Sequence, residues 1–290
     1  MEFHENFRAM DTDVDVFIEA ESMPFGAFAE ARLLFDQQED RFSRFRPQSL
    51  LSRLNNGETI VDGWLAEAVS LALEAFGATG GLFNPMILPA LRASGYDRTF
   101  REVAGGRPEA APSPDPRACL RLEATRVQLL EGQVDLGGIV KGWTADLAVE
   151  HLCGRYPNVF LNAGGDIRCA GDDGAGRGWA MDILAPGERV TAWRGRLSGA
   201  IATSTTLKRR WQTTEGGTAH HLIDPRSGLP ADSRFVQVTV RAEHCRVAEI
   251  WAKAVLIGGE DALAGAAAAN LAVLAIANDG AQTRIGDWQA

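Results

Sequence analysis

The apolar period of this chain changes several times without settling into regular strand–helix alternation, and that constrains the fold most. Val14, Val16 and Ile18 alternate with Asp13, Asp15 and Glu19, the two-residue period of a half-buried strand. From Phe28 onward the spacing becomes helical, through Phe28, Ala31, Phe35, Phe42 and Phe45. A second helix is expected over residues 65–76, with Leu65, Val69, Ala72 and Phe76 on one face and Gly77 as its stop. Residues 126–130 and 133–136 flank Glu131-Gly132 and read as a hairpin, followed by a helix over about 144–155. Strand-like runs then dominate, at 159–161, 179–184, 200–203, 208–213 and 235–240. A helix over 247–257 and a strand over 271–276 close the pattern. Strands cluster rather than alternate with helices, which favours α+β over a doubly wound parallel sheet.

Composition limits what such a fold can bind. The 290 residues carry 46% apolar and 23% charged side chains, ordinary for a globular protein, and can bury a sizeable core. A net charge of −9 argues against a nucleic-acid backbone as partner, so an anionic ligand needs local cations to overcome that field. Cys119, Cys153, Cys169 and Cys245 are scattered, form no Cys-x-x-Cys pair and read as buried free thiols. The first residues lack a basic and then apolar leader, and the apolar run at 262–277 is broken by Gly265 and Asn270. No membrane span and a cytoplasmic setting are therefore expected. The segment 105–116, rich in proline and glycine, is a surface loop or a seam between lobes.

Three glycine-marked segments carry chemical potential. In the first, Asp135-Leu136-Gly137-Gly138-Ile139-Val140-Lys141-Gly142, a strand runs through a glycine pair into a helix start. Glycines let backbone approach a ligand, helix-start N–H groups attract anions, and Lys141 offers a point charge; a tight turn with a surface lysine is the competing account. The second, Asn162-Ala163-Gly164-Gly165-Asp166, could press main chain against a flat ring or diphosphate, or form only a turn or bulge. The third, His221-Leu222-Ile223-Asp224-Pro225-Arg226-Ser227-Gly228, could present His221, Asp224 and Arg226 as base, orienter and anion clamp. A structural turn with an Asx-type bond explains it equally well. His220 points to the other face if the strand continues, so at most one of the two histidines serves a site.

Further segments lie in order around these: Met10-Asp11-Thr12, Phe42-Ser43-Arg44-Phe45 with Ser52-Arg53-Leu54-Asn55, Gly81-Leu82-Phe83-Asn84-Pro85 followed by Gly95-Tyr96, and Ala202-Thr203-Ser204. Together, over roughly residues 10–258, they resemble the ApbE-like FAD:protein FMN transferase family. The resemblance implies an ApbE-like, T-fold-related α+β architecture: a single domain over 1–290, of two intimate lobes with a ligand cleft between them. It implies FAD as ligand and transfer of FMN to a Ser or Thr hydroxyl of an acceptor protein, with AMP released and Mg²⁺ usually assisting. Carried over position by position, Met10 lies against the ligand and Phe45 stands where the family has an aromatic neighbour. Ser94, Gly95 and Tyr96 line the adenine end, Asp135 and Lys141 contact the nucleotide, and His221 is the base. Gly138 and Glu249 fall at the metal positions.

The departures bear on the chemistry. Asp11 replaces a glycine, Asn84 an aspartate and Thr205 a glycine. In Ala248-Glu249-Ile250-Trp251-Ala252-Lys253-Ala254, Glu249 replaces a metal-ligating aspartate and Lys253 a metal-ligating threonine, so Lys253 either takes the metal's place or forms only a surface i,i+4 ion pair with Glu249. The alternative is a flavin-binding homologue without transfer, acting as carrier, sensor or scaffold. Asp224-Pro225-Arg226-Ser227-Gly228 begins like the acceptor motif of the family's substrates but is broken by Leu229-Pro230, so self-modification is not expected.

Overall fold

The alternation at Val14, Val16 and Ile18 forms the strand Thr12–Glu19, second in an antiparallel sheet of eight strands. In spatial order these are Glu2–Ala9, Thr12–Glu19, Val159–Ala163, Asp166–Ala170, Gly199–Thr205, Phe235–Ala242, Ala272–Ala277 and Gln282–Ile285. Spatial order is also chain order, so the sheet is a meander and everything else is inserted between its strands. The computed structural model describes residues 1–176, 178–187 and 189–288.

One face of the sheet carries two helices. Val140–Cys153 lies on Val159–Ala163 and Asp166–Ala170, and Cys245–Gly258 lies on Gly199–Thr205 and Phe235–Ala242. The helix Phe25–Phe42 packs in turn on Val140–Cys153 through Ala27, Phe28, Ala31 and Phe35. The opposite face is covered by the hairpin Trp179–Leu184 and Thr191–Leu197, whose Trp179, Ile183, Trp193 and Leu197 meet Ile167, Ile201, Leu274 and Ile276. This explains the apolar run near the end of the chain: a short helix, Glu260–Ala268, is followed by the strand Ala272–Ala277, buried at every residue. Val273, Ala275 and Ala277 face the helices, whereas Leu274 and Ile276 face the hairpin.

The long insertion 20–158 builds a second core around Leu54, Leu65, Val69, Val127, Val134 and Leu136. It holds the helices Leu50–Asn55 and Gly63–Ala78 and a small sheet ordered Ile60–Val61, Arg126–Leu129, Leu120–Glu123. Here the expected hairpin is corrected. Arg126–Leu129 pairs backward with Leu120–Glu123 through a turn at Ala124, and residues 133–136 form no strand. Their backbone is bonded elsewhere: Asn55 both accepts from Val134 N–H and donates to its carbonyl, at 2.7 and 2.8 Å, and Asp135 N–H donates to Pro85. Cys119, Cys169 and Cys245 are buried as expected; Cys153, on the last turn of its helix, is exposed. Among the described residues no helix is long and apolar enough to cross a membrane.

Candidate functional site

A cavity of about 590 Å³ opens where the insertion meets the helix-bearing side of the sheet. Its walls come from the Met10–Asp11 turn, the end of helix Phe25–Phe42 with the following Ser43–Arg46, the loop at Leu82–Asn84, Tyr96, the Asp135–Lys141 segment, Arg209, His221 and Lys253. In a chain of net charge −9, this wall holds six Lys or Arg side chains (Arg8, Arg44, Arg46, Lys141, Arg209, Lys253) against three carboxylates (Asp11, Glu39, Asp135). The local sign is reversed, as an anionic ligand requires.

Most of those cations are held by partners. Arg8 pairs with Asp11 at 2.8 Å and Arg46 with Glu39 at 3.2 Å. Arg44 Nε lies 3.0 Å from Asp135, with both side chains almost wholly buried. Its guanidinium also covers the rings of Phe45 and Tyr96, 4.3 and 4.4 Å from their centroids, and donates to the Tyr96 carbonyl. Lys141 contacts Asp166 and donates to the Ala163 carbonyl. Burial pushes the Lys141 ammonium down to about 8, with Glu249 opposing the shift and Lys253 adding to it. Arg209, half-buried, has no carboxylate within ion-pairing distance among the described residues.

His221 stands beside Arg209. Its Nδ1 is buried and has no hydrogen-bond partner among the described residues. Burial, then the charges of Arg209 and Lys253, hold its pKa well below the usual histidine value, so the ring is a neutral base at neutral pH. His220, the last residue of strand Thr218–His220, turns away: Nε2 bonds the Ala231 carbonyl and Nδ1 accepts from Leu222 N–H. Asp224 and Arg226 do not join His221. They pair with each other at 2.7 Å, Asp224 also accepts from Arg226 N–H as an Asx turn, and neither lines the cavity. Most of the donors at the helix start before Lys141 are already engaged. Gly137 N–H goes to Asp135, Ile139 and Val140 to the Leu136 carbonyl, and Gly142 to Glu249, so the positive charge comes from side chains.

The other residues marked by the sequence divide between wall and support. Met10, Phe45, Tyr96, Asp135, Gly138 and Lys141 line the cavity. Ser94 and Gly95 lie behind Tyr96: the Ser94 carbonyl accepts from Trp211 Nε1 at 2.6 Å, and Gly95 abuts Gly105 so closely that any side chain would collide. The turn at Gly164-Gly165 joins two sheet strands with both residues at positive φ and does not line the cavity; its contribution is Asp166, against Lys141. Sequence reasoning passed over Arg44, Arg46 and Arg209. The run Lys208-Arg209-Arg210 in so acidic a chain was the available signal.

A divalent cation does not fit the residues at its implied position. Glu249 is 1% exposed, and both its oxygens are engaged, Oε1 by Lys253 Nζ at 2.9 Å and Oε2 by Gly142 N–H at 2.8 Å. Burial alone would raise its pKa, but the nearby Lys253 and Lys141 charges outweigh this and keep it ionised. The Lys253 stem passes beside Gly138, and an ammonium has no lone pair to offer a metal. Among the described residues no group of three His, Cys, Asp or Glu side chains is placed to hold an ion.

Residues 10–276 match the model of the ApbE family. A FAD:protein FMN transferase of Vibrio cholerae serotype O1 is 27% identical over 256 residues, covering 82% of this chain and 75% of the relative. Proteins of the same description from Chlamydia muridarum and Escherichia coli K12 are 26% and 23% identical, over 76% and 78% of this chain and 72% and 69% of theirs. Among solved structures, an ApbE protein of Thermotoga maritima superposes with a TM-score of 0.88 at 22% identity, covering 98% of this chain and 97% of the other. A flavin transferase ApbE of Vibrio cholerae gives 0.81 at 24%, with 98% and 96% covered. At such identities the structural likeness carries the fold, and the sequence match carries the family: this chain belongs to the ApbE family.

Proposed function

We propose that the cleft binds FAD and that the protein transfers its FMN moiety to a serine or threonine hydroxyl of an acceptor protein, releasing AMP. The observation that carries this reading is the neighbourhood of His221 and Arg209: an imidazole held neutral beside an arginine without a carboxylate, in a cleft of reversed charge. Relatives described as FAD:protein FMN transferases support it.

The chemistry asks for an in-line nucleophile, neutralised non-bridging oxygens and a base. The His221 imidazole takes the proton of the acceptor hydroxyl. The hydroxyl oxygen then bonds the FMN phosphorus while the bond to the bridging oxygen breaks, and AMP departs with that electron pair. Arg209 and Lys253 offset the charge that builds on the phosphoryl oxygens. Arg44, fixed by Asp135 and resting on Phe45 and Tyr96, holds the aromatic wall in place for a planar ring. No step is assigned to a metal, since Lys253 and Gly142 N–H already occupy the Glu249 carboxylate.

Incubation with FAD and a small domain bearing an acceptor Ser or Thr tests the reading. It expects a gain of one FMN mass on the domain and one AMP per transfer. Lys253 also favours a second reading, a binder without turnover, because a single charge on a flexible stem is a poorer Lewis acid than a divalent ion. FAD that binds but never labels the domain selects that reading.

A further inference from the structure

The core-facing stripe of helix Phe25–Phe42 runs Ala27, Phe28, Ala31, Phe35, Gln38, Phe42. Helical spacing demands an apolar side chain at 38, yet the chain places a carboxamide there, 0% exposed. Neither Gln38 Oε1 nor Nε2 has a hydrogen-bond partner among the described residues. Gln38 nevertheless lines the large cavity, next to Glu39, which accepts the Met10 N–H at 2.8 Å and fixes the adjoining turn. A buried amide with both its donor and its acceptor unpaired is costly, and such groups are ordinarily satisfied. Methionine or leucine would fill the position at no such cost.

We infer that Gln38 is a specificity residue whose carboxamide, closed off at the cavity wall in this structure, turns into the cleft to pair with a donor–acceptor edge of a planar heterocycle bound there. The inference rests on the flavin reading above and deepens it. FAD offers two edges of this chemistry, the imide edge of the isoalloxazine, with N–H beside C=O, and the amino edge of adenine, with N–H₂ beside a ring nitrogen. A carboxamide can present one acceptor and one donor to either. An apolar residue could stack on both rings but could not choose between them and analogues lacking the edge.

The test compares wild type with Gln38→Met, with Gln38→Leu as a second variant should Met not pack. Calorimetry gives Kd for FAD, FMN and AMP, and thermal unfolding gives the stability of the ligand-free protein. The expected result is a variant at least as heat-stable as wild type, because two unpaired polar atoms are gone, with FAD affinity reduced about tenfold or more. A matching loss with FMN and not AMP places the pairing on the isoalloxazine edge; a loss with AMP and not FMN places it on adenine. Affinities unchanged for all three ligands in a stable variant would overturn the inference while leaving flavin binding intact. A wild-type protein that binds none of the three removes the flavin reading itself, and the inference with it.

Discussion

Lys253 Nζ lies 2.9 Å from Glu249 Oε1, one turn apart on helix Cys245–Gly258, with side-chain exposures of 17% and 1%. On a surface such an i,i+4 pair contributes a few tenths of a kcal/mol. Burial changes the scale: Lys253→Ala would leave a desolvated carboxylate and should cost about 3–5 kcal/mol of stability. Because neighbouring cations hold Glu249 below its usual pKa, this contribution is complete above the carboxylate range and lost only as acid protonates the group. FAD affinity and any transfer should be unaffected by EDTA. Lys253→Thr combined with Glu249→Asp should make transfer faster with added Mg²⁺ than without. Wild-type activity abolished by EDTA and restored by Mg²⁺ would show that the ammonium has not taken the metal's place.

His221→Ala should reduce transfer by about 10²–10⁴ while FAD affinity stays near wild type, the loss expected for a general base. In wild type the acid limb of the pH–rate profile should fall below the ordinary histidine range, since burial, Arg209 and Lys253 all disfavour the imidazolium. Arg209→Ala removes one of those charges, so the limb should move up in pH as FAD binding weakens. A limb that stays in place in Arg209→Ala would detach that arginine from the base. His220→Ala serves as control: it loses bonds to Ala231 and Leu222, so stability should drop by about 1–3 kcal/mol, while the limb should move up less than in Arg209→Ala because His220 influences His221 less than Arg209 does.

The turn at the edge of the cleft holds two non-glycine residues at positive φ, Met10 at 50° and Asp11 at 55°. This is the geometry of a two-residue hairpin turn that usually recruits glycine. Asp11→Gly should raise stability by about 0.5–1 kcal/mol, more than is lost with the exposed Arg8–Asp11 pair. It also removes a negative charge from the wall, so FAD affinity should not fall. Urea unfolding measures the first effect and calorimetry the second.

Much of the lining of the candidate cleft was legible, because ordered motifs mark its side chains in the sequence. Asp135, Lys141, His221 and Lys253 announced themselves by sequence, and they line one cavity. What pairs with what was not legible. Asp135 answers to Arg44, ninety-one positions earlier by the numbering, and Lys141 to Asp166, contacts that only the packing of the insertion on the sheet creates. The misplaced hairpin has a local cause. Glu131-Gly132 carries the turn signal, but the chain reverses at Ala124, a non-glycine at φ 50°, because Asn55 and Pro85 claim the backbone of Val134 and Asp135. Gln38 was hidden in the opposite way, as a polar letter inside a regular apolar stripe.

Gly142 tests how closely the two sheet-covering helices must approach. It lies in the first turn of Val140–Cys153, where alanine is the better helix former by about 1 kcal/mol. A Cβ there, however, would stand 2.8 Å from Glu249 Oε2, 2.9 Å from the Cys245 carbonyl oxygen and 3.0 Å from Arg246 N. Two of these contacts are backbone at the start of Cys245–Gly258, so they cannot swing aside as a flexible side chain could. That helix start is also pinned from the same direction, since Asp146 accepts from Cys245 and Arg246 N–H at 2.7 and 3.0 Å. Separation of the helices would stretch these bonds together with the Gly142–Glu249 bond. The clash therefore outweighs the propensity, and Gly142→Ala should lose about 2–4 kcal/mol of stability. Because Glu249 orients Lys253, FAD affinity should fall with it, whereas Gly154→Ala, at a helix end with open space around it, should leave both unchanged. A Gly142→Ala protein as stable as wild type would mean that the helices slide apart freely and that the Glu249–Lys253 pair does not depend on their contact.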